Sequence, residues 1–303
     1  MFVKQILTTA LVVLGTVACT SNKAALGSKD NPVKIHFLPS LDAKVIEGNS
    51  KAFKVFLEAN TPYKYELVVL QSYIAVVESF GTKKADVAAL NSFGYLLAHE
   101  KYGAEAKMIV LRDGLATYQS QFIVPTNSKI KRLQDLDGKK IAFVDPSSTS
   151  GYLLPMKTLR DRNINPKETV FTMKHDAVVT KVYLGEVDAG ATFYSPPAVD
   201  GTVEDARRLV VTQYPDVAKK VKILELSEPI PNDPIVFRKD MPEEMKQVVI
   251  EALMKFIKTA EGKKAFKEIY GVTDLRLTND AEFEPIRKML TQIGKSAQEM
   301  MSK

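Results

Sequence analysis

From Asn31 onward the apolar positions switch repeatedly between two periods. Val33, Ile35 and Phe37 alternate with polar neighbours, the spacing of a half-buried strand. Residues 51–60 carry apolar positions at helical spacing, and 65–70 reads as a strand. A short helix at 73–81 leads into Asp86-Val87-Ala88-Ala89-Leu90, an apolar run bounded like a buried strand. Further strands are predicted at 108–111, 121–125, 141–144, 170–173, 189–192 and 209–212. Strands alternating with helices argue for an α/β fold with parallel sheets. After Asp233-Pro234 the pattern turns helical. Asp240 with Glu243 reads as a capping box, with Pro242 in the first turn. Met245, Val248, Val249, Ala252, Leu253, Phe256 and Ile257 form one stripe; Phe283, Ile286, Met289, Leu290 and Ile293 form another. Both stripes are expected to pack on a sheet and carry no function.

The pattern also echoes itself. Tyr73-Ile74-Ala75-Val76-Val77 leads to Asp86-Val87-Ala88-Ala89, and His175-Asp176-Ala177-Val178-Val179 leads to Asp188-Ala189-Gly190-Ala191. In both, Asp follows the alanine by the same interval, with a Gly between that is expected to close the helix. Matching loops follow at 91–95 and 193–197. Two lobes of related build are predicted, with Tyr73 and His175 at equivalent helix starts. Ligands of open α/β sheets sit at the carboxyl ends of strands, beside helix N-termini, so both residues are expected to face one cleft.

The chain has 303 residues, enough for about two domains. Its 45% hydrophobic and 26% charged residues exclude disordered, collagen-like and polytopic membrane classes. The net charge of +6 is spread along the chain, without the basic block of a nucleic-acid tail. A single Cys excludes an internal disulfide. Three His without close pairing argue against a metal site, and His36 and His99 read as structural.

The N-terminus adds an address. Lys4, a short apolar run from Ile6 to Val17 and small residues at a boundary describe an export signal over 1–18. That run is too short to span a membrane. The only Cys, Cys19, sits at the boundary, before a polar tether over 19–30. The arrangement resembles a bacterial lipoprotein signal, with Thr16 where Leu is usual, and implies a lipid anchor on Cys19.

The candidate chemistry lies between the strand at 141–144 and a helix-like stretch at 152–162. Asp145-Pro146-Ser147-Ser148-Thr149-Ser150-Gly151 joins them. A helix's first turn has unpaired N–H groups and a positive dipole end, so a hydroxyl-rich turn there suits an anion. Ser148, Thr149 and Ser150 add donors without bulk, and Gly151 permits close backbone approach. Pro155 requires the regular helix to start late. No Gly-rich run ends in Gly-Lys-Ser/Thr, so this is no nucleotide P-loop, and no cofactor is expected.

These residues, with His175-Asp176-Ala177, Val187-Asp188-Ala189-Gly190-Ala191-Thr192, Ile230-Pro231-Asn232-Asp233-Pro234 and Tyr118-Gln119-Ser120, resemble the phosphate/phosphite/phosphonate-binding lipoproteins of ABC importers. The resemblance implies a type II periplasmic-binding-protein fold. Its two lobes, each a mostly parallel sheet flanked by helices, would be hinged by two crossings. Lobe 1 is placed at 31–119 plus 230–303 and lobe 2 at 120–229, with crossings near 118–122 and 224–234. It implies that Ser148, Thr149 and Ser150 hold phosphorus oxygens while Tyr118 and His175 donate from other sides. Asp233 would accept from a protonated ligand oxygen, and Tyr73 would be the first lobe's aromatic ligand. Phe193-Tyr194-Ser195 stands where a carboxylate would meet an aminoalkyl-phosphonate, leaving phosphite, phosphate or methylphosphonate. The expected protein is an exported, membrane-anchored monomer that captures a small phosphorus oxyanion by closure and delivers it to an ABC permease and its ATPase. The rivals are an enzyme of the same architecture and a ligand-responsive adhesin or sensor. Ser150, His175 and Asp176 are poor triad candidates, because adjacent helix residues diverge.

Overall fold

The computed structural model describes residues 24–292. The expected export signal, Cys19 and Ile293 lie outside the described residues.

In chain order the strands are Val33–Phe37 (β1), Tyr65–Val69 (β2), Val87–Ala89 (β3), Glu105–Leu111 (β4), Thr117–Pro125 (β5), Lys140–Phe143 (β6), Glu168–Phe171 (β7), Ala189–Tyr194 (β8), Val221–Leu226 (β9), Ile230–Pro231 (β10), Pro234–Phe237 (β11) and Asp274–Leu277 (β12). They form two sheets, ordered β12-β4-β11-β3-β1-β2 and β10-β5-β8-β6-β7, with β9 also on β5. β1 pairs in parallel with β2 and β3, and β6 with β7 and β8. The strands flanking the crossings pair antiparallel. The chain leaves the first sheet at Leu111, enters the second at Thr117, and returns between Pro231 and Pro234. Asn232 joins these passages: its side chain donates to the carbonyls of Val110 (3.0 Å) and Leu115 (2.8 Å).

The internal echo has a physical basis. Asp86 accepts from the Lys34 amide at 2.9 Å, and Asp188 accepts from the Lys140 amide at 2.8 Å. Each Asp amide donates back to the same lysine's carbonyl. Both acids therefore close the joint where a central parallel strand, β1 or β6, meets the parallel strand after a helix, β3 or β8. The left-handed residue after each helix is Lys83 (φ 55°) or Gly185 (φ 72°), the same interval beyond the shared alanines. Gly81, expected to stop the first helix, is part of Tyr73–Gly81, and a Cβ there would run into the Tyr102 ring.

Two other expectations are corrected. Residues 209–212 are not a strand; a 3-10 turn at Ala206–Val210 forms instead, started by Asp205, whose carboxylate accepts from the Arg207 amide at 2.9 Å. The Asp240 capping box is absent, because that carboxylate pairs with Lys83 (2.6 Å) and Arg238. The helix Glu243–Phe256 begins after Pro242, with Glu243 and Glu244 at its positive end. The first sheet's core packs one face against this helix and the helices Ala43–Asn60 and Ala260–Tyr270, through Ile35, Phe53, Leu253, Phe256 and Ile269.

Candidate functional site

After β6 the chain makes a π-helical turn, Thr149–Leu153, before the α-helix Leu154–Asp161, which begins with Pro155 in its first turn. The Ser148 carbonyl serves the amides of both Tyr152 (3.2 Å) and Leu153 (3.0 Å). Ser148 Oγ accepts from the Gly151 amide at 3.1 Å, which leaves its own proton free to donate. Gly151 is needed for a reason other than ligand approach: a Cβ there would collide with Val144 Cγ2. The missing side chain seats the turn on the end of β6.

Ser148 and Ser150 line a cavity of about 100 Å³ between the sheets, together with Tyr73, Tyr118, His175 and Asp233. Six residues spread from 73 to 233 thus meet in one space. Thr149 and Gly151 stand behind its wall. Thr149 Oγ1 accepts from the Phe93 amide at 3.1 Å, reaching across from the second sheet to the first. Asn91 donates to the Ser147 carbonyl (2.8 Å), the His175 amide donates to the Ser40 carbonyl (3.3 Å), and Lys267 pairs with Glu204 at 2.7 Å. The Tyr73 amide donates to the Asp145 carboxylate. These contacts draw the two halves together around the cavity.

Burial sets the protonation states. It raises the phenols of Tyr73 and Tyr118, Tyr118 further through Asp233, so both remain donors at neutral pH. Burial, then the nearby Arg112, pushes the His175 imidazole down to about 3. His175 is therefore neutral, with one N–H to offer. Its Nδ1 lies 2.6 Å from Thr192 Oγ1. When Thr192 donates to Nδ1, the proton sits on Nε2, the form that suits an anion. Thr192→Val is expected to weaken oxyanion binding about tenfold, the worth of one hydrogen bond, and to mix the tautomers seen in imidazole nitrogen shifts. Unchanged affinity and shifts would count against this positioning role. The contact with Thr192 also leaves Nδ1 unavailable to Asp176, so a triad does not form.

Arg112, Asn91, Arg208 and Tyr270 also line the cavity, and sequence reasoning missed all four. Arg112 donates to Asp233 Oδ2 (2.7 Å), Asn232 Oδ1 (2.8 Å) and the Tyr270 carbonyl (3.0 Å), and lies 5.5 Å over the Tyr118 ring. The available signal was Asp113-Gly114 directly after it. With φ values of 48° and 78°, these residues make the tight turn that such a pair marks between strands. Arg208 is pulled down by burial and partly restored by Glu204; its buried Nε has no partner among the described residues. A turn of hydroxyls, three phenols, one neutral imidazole and two guanidiniums compose a donor-rich cage with one carboxylate. Such a set is made to hold an anion that still carries a proton.

A family model for ABC transporter, phosphonate, periplasmic substrate-binding proteins matches residues 35–283. The chain belongs to this family. The phosphonates-binding periplasmic protein of Escherichia coli is 27% identical over 77% of this chain and 68% of its own length. The phosphate-import protein of Mycolicibacterium smegmatis is 29% identical, over 60% of each chain. In structure, a binding-protein component of a phosphonate ABC transporter from Pseudomonas aeruginosa superposes with a TM-score of 0.75 at 20% identity, covering 88% of this chain and 91% of its own. A protein from Prochlorococcus marinus, solved with methylphosphonate, gives a TM-score of 0.73 at 18% identity, covering 87% and 98%. The fold is accordingly that of the type II periplasmic binding proteins. Members of this family bind substrates for ABC import and are not enzymes, which removes the enzymatic rival.

Proposed function

We propose that this chain captures a small phosphorus oxyanion, namely phosphite, phosphate or a phosphonate, in the cavity between its sheets. The observation that carries the reading is the convergence of Ser148, Ser150, Tyr118, Tyr73 and His175 on one space that also holds Arg112 and Asp233. Thr149 and Gly151 support the site from behind, Thr149 as a latch to Phe93 and Gly151 by seating the turn. Each sheet forms the core of one lobe, so the boundaries fall at 112–116 and 232–233, between β4 and β5 and between β10 and β11, rather than within β5 and before β10. Closure replaces the hydration shell of the anion with protein donors, since a buried charge is tolerated only when fully hydrogen-bonded. The closed monomer then delivers its load to an ABC permease driven by an ATPase. Cys19 carries the lipid that keeps the protein at the membrane outside the cytoplasm; the mass of the mature N-terminus tests that anchor.

Asp233 selects for a protonated ligand oxygen. Arg112 occupies Oδ2, which leaves Oδ1 to accept from a ligand O–H. Because Arg112 offsets the carboxylate's charge, selection rests on the missing hydrogen bond more than on repulsion. Titration calorimetry near neutral pH with phosphite, phosphate, methylphosphonate and sulfate tests this. At least one phosphorus acid is expected to bind, with sulfate weaker by up to about 10⁴-fold, the range seen when a site's polar group is left unpaired. Equal binding of sulfate would remove the role given to Asp233. Silence from all four ligands would remove the oxyanion reading.

A further inference from the structure

The cavity does not end at the hydroxyl turn. It continues along one face of the first sheet, between Ile35, Val87 and Ile235 of the strands and Leu253, Phe266 and Ile269 of the covering helices. These six walls are all apolar, while Ser148, Ser150, Asn91, Arg112, Arg208 and Asp233 gather at the other end. Phe37 and Ala89, the last residues of β1 and β3, line the same space at the sheet's edge. Ile35 and Val87 lie two residues earlier on those strands. At about 3.3 Å per strand residue, the apolar arm runs about 7 Å inward from that edge.

A bare oxyanion, or one carrying only a methyl group, has no use for such an arm. Cavities lined by Leu, Ile and Phe stay dry and take up apolar molecules. An alkyl group entering such an arm removes its own surface from solvent. The geometry is that of an amphipathic site, polar at the mouth and hydrocarbon behind it. We infer that the preferred ligand is a phosphonate bearing an unbranched alkyl tail of several carbons, its head on the hydroxyl turn and its tail in the arm. This rests on the oxyanion reading above and narrows it to a substrate class. The six walls carry no charged or hydrogen-bonding group, and Asn49 of the helix Ala43–Asn60, which also lines the cavity, already donates its side-chain amide to the Val45 carbonyl at 2.9 Å, so the arm favours plain hydrocarbon over functionalised chains.

The experiment is titration calorimetry of the full chain with methyl-, propyl- and hexylphosphonate. Affinity is expected to rise about fourfold for each methylene buried, from the free energy of withdrawing a CH₂ from water. Propylphosphonate should therefore bind about 15-fold tighter than methylphosphonate, with a further gain for hexyl until the arm is full. Ala265, on the same covering helix as Ile269, also lines the cavity; Ala265→Leu and Ile269→Phe, made separately, add bulk to the arm and are expected to collapse the hexyl-to-methyl ratio toward one. Methylphosphonate binding equal to or tighter than the longer ligands in the unmodified protein would overturn the tail inference and leave the head reading standing. Phosphite or phosphate binding with no phosphonate bound would also overturn the tail inference and leave the head reading standing; if none of these ligands binds, both fall together. A ratio that survives both bulky variants would likewise overturn the arm as the tail's place.

Discussion

Replacing Ser148 and Ser150 together by Ala is expected to weaken binding of the phosphorus ligand by roughly 10²- to 10⁴-fold. The estimate follows from losing two hydrogen bonds to a charged acceptor, about 1.5–3 kcal/mol each. The two hydroxyls are not equivalent in their other duties. Ser148 Oγ accepts from the Gly151 amide, so its removal also costs the turn about 1 kcal/mol as a lost cap. Ser150 lies within hydrogen-bonding reach of the Tyr118 phenol and contributes no cap. Ser150→Ala alone should therefore lower affinity with a smaller melting shift than the double variant, because Tyr118 keeps the Thr149 hydroxyl as a partner. The double variant should shift both. Thr149 is left in place because its oxygen holds the Phe93 amide across the cleft, and altering it would confuse binding with closure. Calorimetry beside thermal melting separates the two effects. Full affinity in a folded double variant would place the anion elsewhere.

Why the hydroxyl turn was legible and Arg112 was not is a matter of range. Ser148, Thr149, Ser150 and Gly151 are adjacent, and what they do locally follows from capping rules that act within a turn. The helix starts at Tyr73 and His175 and the acids Asp86 and Asp188 likewise obey short-range rules, repeated at one spacing. Sequence pattern therefore placed both lobes' central strands and the residues at their ends. Arg112 becomes a site residue only by meeting Asn232 and Asp233, some 120 positions away. Nothing near it in the chain announces that meeting except the Asp-Gly turn that aims it. Arg208 was hidden differently: its segment, apolar at 209–212, reads as a strand until the Asp205 cap bends it into a 3-10 turn. The strands β9 to β12 join their sheets antiparallel, outside the repeated strand–helix–strand pattern from which the parallel strands were read. Thr149 and Gly151 belong to the same turn as the cavity-lining Ser148 and Ser150, but facing is set by packing against Phe93 and Val144, which composition does not reveal.

Arg112→Gln is expected to lower affinity for phosphite or phosphate by roughly 30- to 5,000-fold, the span for leaving a buried charged partner unpaired. In the intact site the guanidinium offsets Asp233 and also fastens Asn232 and the Tyr270 carbonyl. Without it the Asp233 carboxylate faces the ligand uncompensated; two like charges about 4 Å apart at an effective dielectric near 20 repel by about 4 kcal/mol. Adding Asp233→Asn to Arg112→Gln should then recover at least about tenfold, because the repelling charge is gone although the hydrogen-bonding shape is kept. Asp233→Asn alone has the opposite signature. It leaves Arg112 without its carboxylate and supplies an amide donor where an acceptor stood, so sulfate should gain affinity as protonated phosphorus acids lose it. Urea unfolding of each variant reads the separate cost of loosening the passages at Arg112 and Asn232, which affects stability in all of them but cannot reverse the order of ligands. If Arg112→Gln and the double variant bind alike, and sulfate gains nothing from Asp233→Asn, the carboxylate does not touch the ligand and selection against sulfate must arise from Tyr118 and His175 instead.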